Sequence, residues 1–225
     1  MGYLYTMRPL LIYCYDAYCG WCYGFSPVIK RIAEQFQPQL EIEVLSGGML
    51  AGNQKAPIEK TAAFIQSAYP RVEELTGIRF GNDYLWHIRN PQLSDWVMNS
   101  EKPATALCIL KELYPEKQLD FAADLQYALH YEGRDLDDDE AYRHLLDKYG
   151  IHPEFFYSRL SRDEYKEQAY HEFSLCQQLQ VSAFPALLLQ LSENRFHLLA
   201  KGFTPYDQLE QRIQNVLSSP ETDSP

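Results

Sequence analysis

Two cysteines separated by two residues stand near the start of the chain, in Asp16-Ala17-Tyr18-Cys19-Gly20-Trp21-Cys22-Tyr23-Gly24-Phe25. Thiols at this spacing can bind a metal, brace a fold or exchange disulfides. A structural zinc wants four ligands, often two such pairs or one pair with nearby histidines. Cys14, Cys108 and Cys176 are scattered, and His87, His130, His144, His152, His171 and His197 show no partner spacing, so no metal site is expected. An inert disulfide between Cys19 and Cys22 would close a ring too short to restrain much chain entropy. Thiol exchange is the chemistry that the surroundings favour.

Those surroundings are a strand running into a helix. Residues 9 to 15 are apolar and end in aromatics, which suits a buried strand. Phe25, Val28, Ile29, Ile32, Ala33 and Phe36 then recur at helical spacing until Pro38. Glu41 to Leu45 alternates, with Ile42 and Val44 on one face, and Ser46-Gly47-Gly48 closes it. The first fifty residues therefore predict a strand, a helix and a second strand, with the strands parallel. Cys19 falls at or just before the first helical turn, where unpaired backbone N–H groups and the helix dipole favour negative charge. A thiolate is stabilised there, and its reactive fraction near neutral pH rises. Cys22, on the same helix face, is close enough to close a disulfide and should be less exposed. Cys19 is thus expected to attack a substrate disulfide and Cys22 to resolve the mixed disulfide.

A second signal lies far along the chain, in Val181-Ser182-Ala183-Phe184-Pro185-Ala186. Pro185 stands at the mouth of a strand, where it cannot donate to the ladder. Alone it reads as an ordinary strand-start proline. Coupled to the cysteine pair, it reads as a cis-proline loop beside the two sulfurs, with the backbone before it free to pair with an extended substrate. Ala186–Leu191 and Arg195–Lys201 predict a hairpin, and Thr204-Pro205-Tyr206-Asp207 opens a last helix. Ser218 to Pro225 reads as a frayed end. Between these halves the chain is mostly helical, with apolar residues three and four apart over 57–69, 103–114 and 119–131, and further helices from Pro153 and over 163–178. The acids Asp137 to Glu140 read as solvated charge at a helix start. The expected organisation is an α/β frame, residues 1–56 plus 181–225, interrupted by an all-helical domain over 57–180.

Composition bounds the partners. The chain has 225 residues, 46% of them hydrophobic and 23% charged, which suits a globular protein with a sizeable core. A net charge of −11 argues against nucleic acid or an anionic membrane surface as partner. No apolar run is long enough to span a bilayer. The start of the chain reads as a strand rather than an export signal, because Arg8 is its lone early basic residue and Asp16 stops the apolar run. Five cysteines with one close pair suit a reducing compartment, so a cytoplasmic location is expected. No dimerisation segment stands out, which leaves a monomer as the default.

The motifs resemble the DsbA family of thioredoxin-fold proteins, in the cytoplasmic-type branch with FrnE-like and protein-disulfide-isomerase-like members. Asp16 through Pro27, Tyr131-Glu132-Gly133-Arg134-Asp135-Leu136 and Val181 to Leu189 carry the resemblance, which spans nearly the whole chain. It implies a thioredoxin fold (βαβ…ββα) with a large helical insertion, and a thiol–disulfide oxidoreductase acting as a protein disulfide reductase or isomerase. Carried over, Cys19 is the nucleophile, Cys22 the resolving thiol, Pro185 the cis-proline, and Phe184 the variable position that influences substrate contact. The redox-active Cys19–Cys22 disulfide needs no resident cofactor, and glutathione is a candidate co-substrate. The implied partners are disulfide- or thiol-containing proteins or a small thiol. Strongly oxidising members carry a histidine where this chain has Trp21; an indole carries no charge. A less stabilised Cys19 thiolate and a lower reduction potential are therefore expected. Trp21 is expected to be exposed and to form an apolar landing area with Phe184, while Tyr23 and Phe25 fill the core. Two other functions compete. One is a glutathione-dependent isomerase or transferase of the kappa type, whose members usually place serine at the position of Cys19 and lack the second cysteine. The other is a non-catalytic adaptor that presents partners to a protease through its helical insertion.

Overall fold

The computed structural model describes residues 8–218. The far end expected to fray lies, beyond Ser218, outside the described residues. The frame of the molecule is a four-stranded sheet built around β1 (Leu10–Tyr15). β1 pairs in parallel with β2 (Glu41–Ser46), Leu10 opposite Glu41 and Tyr15 opposite Ser46. On its other side it runs antiparallel to β5 (Ala186–Ser192), Cys14 opposite Ala186. A hairpin carries the chain from β5 into the edge strand β6 (Arg195–Lys201), giving the order β2-β1-β5-β6. β1 reads as an unbroken apolar run because both its faces are covered. Leu11, Tyr13 and Tyr15 enter the main core, whereas Ile12 and Cys14 enter a second cluster with Leu45, Cys176 and Leu188.

Helix α1 (Gly20–Phe36) follows β1 and buries Cys22, Phe25, Ile29, Ile32 and Phe36 against the main core. β3 (Ala56–Pro57) and β4 (Val97–Met98) then pair briefly, bracketing α2 (Glu59–Thr76) and α3 (Asn82–Arg89). α4 (Glu101–Leu113), α5 (Gln118–His130), α6 (Arg143–Tyr149), α7 (Pro153–Leu160) and α8 (Asp163–Gln178) complete the intervening segment. α9 (Tyr206–Ser218) closes the described chain against α1 and β6.

Three expectations need correction. The helix expected over 57–69 continues through Pro70 to Thr76, where Gly77 at φ 76° caps it. Pro70 deprives only the Gln66 carbonyl of a donor, and both residues are exposed, so water can serve that oxygen. The segment 57–180 is not purely helical, since β4 lies inside it. Met98 is buried in the strand and Trp96 just before it, and two residues are too few for a strand periodicity to register. The boundary at residue 180 also shifts: α8 packs directly on β2, and its Cys176 and Leu175, with Leu179 just beyond its end, cover the far face of the sheet. α8 is therefore the frame's own second-face helix. Nor do the two parts have separate cores, because the main core runs continuously from Leu11 and Phe25 to Leu107, Phe121 and Phe156.

Two contacts bring the inserted helices to the cysteine end of the sheet. α1 and α2 approach closely at Gly24, where an added Cβ would meet Thr76 Cγ2 at 2.8 Å and Val72 Cγ1 at 3.0 Å. The open edge of β2 is capped by side chains instead of another strand. Val44 N–H donates to Gln118 Oε1 at 2.7 Å, Gln118 Nε2 returns a bond to Ile42 O at 2.7 Å, and Ser46 N–H donates to Glu172 Oε2 at 2.8 Å. Lys111 Nζ links Val44 O to Glu172, at 2.6 and 2.8 Å. Among the described residues no helix is long and apolar enough to cross a membrane.

Candidate active site

The loop from β1 to α1 is pinned from several sides. The buried Asp16 carboxylate accepts from Tyr18 N–H at 3.0 Å, from Ser100 Oγ at 3.0 Å and from Met49 N–H at 2.7 Å. Burial pushes this carboxyl above its usual range, and the three donors work against that rise. Gln126 Nε2 donates to Asp16 O, and the buried His130 ring lies 3.2 Å from Ala17 O through Nε2. With the loop fixed, Cys19 N–H reaches Asp16 O at 3.1 Å and the helix begins at the next residue.

Cys19 occupies the N-cap of α1, in extended backbone at φ −82° and ψ 106°. Its sulfur accepts the Cys22 N–H at 3.4 Å and lies 3.6 Å from Phe184 O. An orphan amide at a helix start is the group that favours negative charge on this atom. Cys19 retains 7% exposure and Cys22 none. Burial, then the hydrogen bond to Cys19, push the Cys22 thiol well up. All five cysteines are free thiols.

The loop before β5 arrives from α8 through Gln180, whose φ of 57° turns the chain while Val181 N–H bonds back to Cys176 O at 2.9 Å. The Phe184–Pro185 peptide bond is cis. Pro185 O is taken by Gly202 N–H at 2.7 Å, which leaves Phe184 O as the carbonyl at the Cys19 sulfur. The Phe184 ring lies directly over Gly47, where any Cβ would stand 2.0 Å from its terminal carbon. Cys19, Cys22, Phe184 and Pro185, distant in sequence, thus converge at one end of the sheet.

Trp21 departs from expectation. It is half-buried, packed on Phe203 with ring centroids 6.4 Å apart. Apolar area on the loop after β6 draws the indole down, a partner that local spacing could not reveal. Tyr23 and Phe25 are core residues, as expected. A groove of about 350 Å³ opens over Cys19, with Trp21, Met49 and Phe184 on the frame's side and Phe64, Ile65 and Tyr69 of α2 opposite. Its lining carries no charged side chain, and Phe64 stands 71% exposed at the rim. Sequence reasoning passed over Phe64 and Met49; an aromatic on the polar side of an amphipathic helix was the signal for the first. Asp16, Gly47 and His130 carried no site role in the sequence either, although an acid ending an apolar strand beside a cysteine pair is conspicuous. The scattered cysteines are not all apart: Cys14 and Cys176 meet in the cluster beneath α8, where Cys176 Sγ donates to Ser46 O at 3.5 Å.

Comparisons with known proteins agree with this fold. A model of the DSBA-like thioredoxin domain matches residues 11–214. A candidate protein disulfide isomerase from Nitrosomonas europaea is 27% identical, with a TM-score of 0.81 over 93% of this chain and 98% of its own. The cytosolic disulfide reductase DsbM from Pseudomonas aeruginosa is similar in fold, at 24% identity and a TM-score of 0.74 over 93% of this chain and all of its own. A second DsbM structure, with GSH, aligns at 23% identity and a TM-score of 0.71, over 93% of this chain and 100% of that chain. No curated protein matched the chain. With a family model covering nearly all of the described fold and both ends of the site, the chain belongs to the DsbA-like thioredoxin-domain family.

Proposed function

We propose that this protein is a protein disulfide reductase or isomerase, with Cys19 as nucleophile and Cys22 as resolving thiol. The observation that carries the reading is the Cys19 sulfur itself: an N-cap atom that accepts the Cys22 amide, lies beside the carbonyl before Pro185 and opens on an apolar groove. The Cys19 thiolate attacks one sulfur of a substrate disulfide and displaces the other as a thiolate. Cys22 then gives up its proton to that displaced thiolate and attacks Cys19. The Cys19–Cys22 disulfide forms, the second substrate thiolate leaves, and two electrons have passed to the substrate. A small thiol such as glutathione would return the pair to the dithiol state.

The groove supports a polypeptide as substrate. Apolar side chains flanking a cystine could lie against Phe64, Ile65 and Met49, with their backbone beside Phe184. Glutathione brings two carboxylates, for which the groove lining holds no cation. This favours glutathione as the reductant over glutathione as the ligand of the groove, and sets the kappa-type reading second. An odd cysteine count with one close pair fits a reducing compartment, and we place the protein in the cytoplasm on that ground.

Catalysed reduction of insulin disulfides, with the Cys19→Ser and Cys22→Ser variants as comparison, tests the assignment. Cys19→Ser should be inactive, and Cys22→Ser should stall as a mixed disulfide with substrate. Undiminished reduction by Cys19→Ser would refute it.

A further inference from the structure

Tyr13 lies in the middle of β1 with its side chain turned towards α1, sealed at 1% exposure between Tyr15 and Phe25. Its hydroxyl is buried without a hydrogen-bond partner among the described residues. Buried phenols normally find a partner, and an unmet one is costly to the fold. Phenylalanine would fill the same space without that cost. Cys22 precedes Phe25 by one helical turn on the face of α1 packed over Tyr13, all three are buried in the main core, and its thiol is the nearest polar group acting on the phenol.

Resting on the function proposed above, we propose that Tyr13 is a positioning residue for the resolving thiol: its hydroxyl is a buried donor held in reserve for the Cys22 thiolate. In the dithiol state Cys22 carries a neutral thiol, a poor acceptor that offers the phenol little. During resolution the same sulfur must bear a full negative charge in a place that water does not reach. A donor already in place then becomes valuable, because it needs no reorganisation when the charge develops. Burial pushes the Tyr13 phenol well above its ordinary value, so it keeps its proton wherever a thiolate can form. The other groups facing Cys22 give mixed help. The Asp16 backbone N–H favours ionisation, whereas the Asp16 carboxylate and the Cys19 sulfur oppose it. Tyr15, on the same face of β1, is also near. The helix packed on α1 near this point offers Gln126, which is uncharged and occupied by Ser26 Oγ and Asp16 O.

The step that Tyr13 serves is the second one. Cys19 is already joined to one substrate sulfur, and the displaced thiolate takes the Cys22 proton. The Cys22 sulfur bonds to Cys19 Sγ as the mixed disulfide breaks, and the electron pair leaves on the substrate sulfur.

Tyr13→Phe removes the hydroxyl and nothing else. Dithiobis-nitrobenzoate reports both steps in one trace, since its coloured thiolate is released once when Cys19 attacks and again when Cys22 resolves. In Tyr13→Phe the second release should slow about tenfold relative to the first, the size expected for losing a hydrogen bond to a charged group. Its pH profile should move to higher pH by about one unit, because Cys22 then ionises less readily. The variant should be at least as resistant to denaturant as the parent, because in the resting fold the hydroxyl meets only a neutral thiol, a poor acceptor, and no partner at full hydrogen-bond geometry. A second phase as fast as the parent's would overturn the proposal. So would a Tyr13→Phe chain that is less stable or fails to fold, since the hydroxyl would then be structural. A parent chain that shows no second release would instead remove the underlying function, so the two failures are told apart by which protein misbehaves.

Discussion

His130 offers a quantitative test of how the cysteine loop is held. It ends α5 fully buried, with Tyr84, Tyr23 and Phe80 rings at centroid distances of 5.0, 5.1 and 5.5 Å. Nε2 lies 3.2 Å from Ala17 O, and Nδ1 has no partner among the described residues. The ring is neutral, with Nε2–H as donor, and protonation would force a second, unpaired N–H into an aromatic box. Burial accordingly lowers its pKa from 6.5 to about 3, with the Ala17 carbonyl only partly opposing. Between those values the unfolded chain binds a proton that the fold refuses, so stability falls as pH falls. The slope is about 1.4 kcal/mol per pH unit, and the whole window amounts to on the order of 5 kcal/mol. That is comparable with the entire stability of many domains, which is about 5–15 kcal/mol. Asp16 works in the opposite direction, since its buried carboxyl takes up a proton before the unfolded one does. Denaturant unfolding at several pH values below 6.5 should therefore be compared in the parent and in His130→Gln, whose amide can still reach Ala17 O. Over about two pH units the parent should lose about 2.7 kcal/mol more than the variant. Parallel slopes in the two proteins would show that His130 titrates normally and that the box is open to water.

Other expectations follow from single contacts. Gly47→Ala would place a Cβ 2.0 Å from the Phe184 ring and must displace that ring from the groove. Insulin reduction should fall at least several-fold while circular dichroism stays unchanged; full activity would show that the ring's seat is immaterial. Asp16→Ala strips three donors of their acceptor and should cost about 3 kcal/mol in denaturant unfolding. A loss under about 1 kcal/mol would mean that water replaces the carboxylate. Iodoacetamide with peptide mass mapping should label Cys19 first in the native protein. Cys108, which burial and the Glu172 carboxylate hold well up as a thiol, should follow far behind, and Cys14, Cys22 and Cys176 should react only after unfolding. Early labelling of Cys22 would contradict its burial.

The local grammar of this protein is written in short stretches of its chain. A continuous apolar run, helical spacing, a short alternation and a pair of apolar stretches around turn residues place β1, α1, β2 and the final hairpin close to where they lie. A cysteine at a strand-to-helix junction must meet the unpaired amides of a helix start, whatever the rest of the chain does. That is why Cys19 and Cys22 stand out as site candidates in the sequence, and why Tyr23 and Phe25, buried in the fold, could be assigned to the core. Tertiary structure decided everything that depends on two distant segments touching. It seated Phe184 on Gly47, drew Trp21 onto Phe203, and set α2 across Gly24 so that Phe64 lines the groove over the Cys19 sulfur. It also made α8 part of the frame, and left the Tyr13 hydroxyl unpaired beneath Cys22. The physical reason is one of range: propensity, capping and the helix dipole act within a turn or two of chain. Burial, close packing and the desolvation of a thiol or an imidazole are properties of a neighbourhood that exists only once the chain has folded.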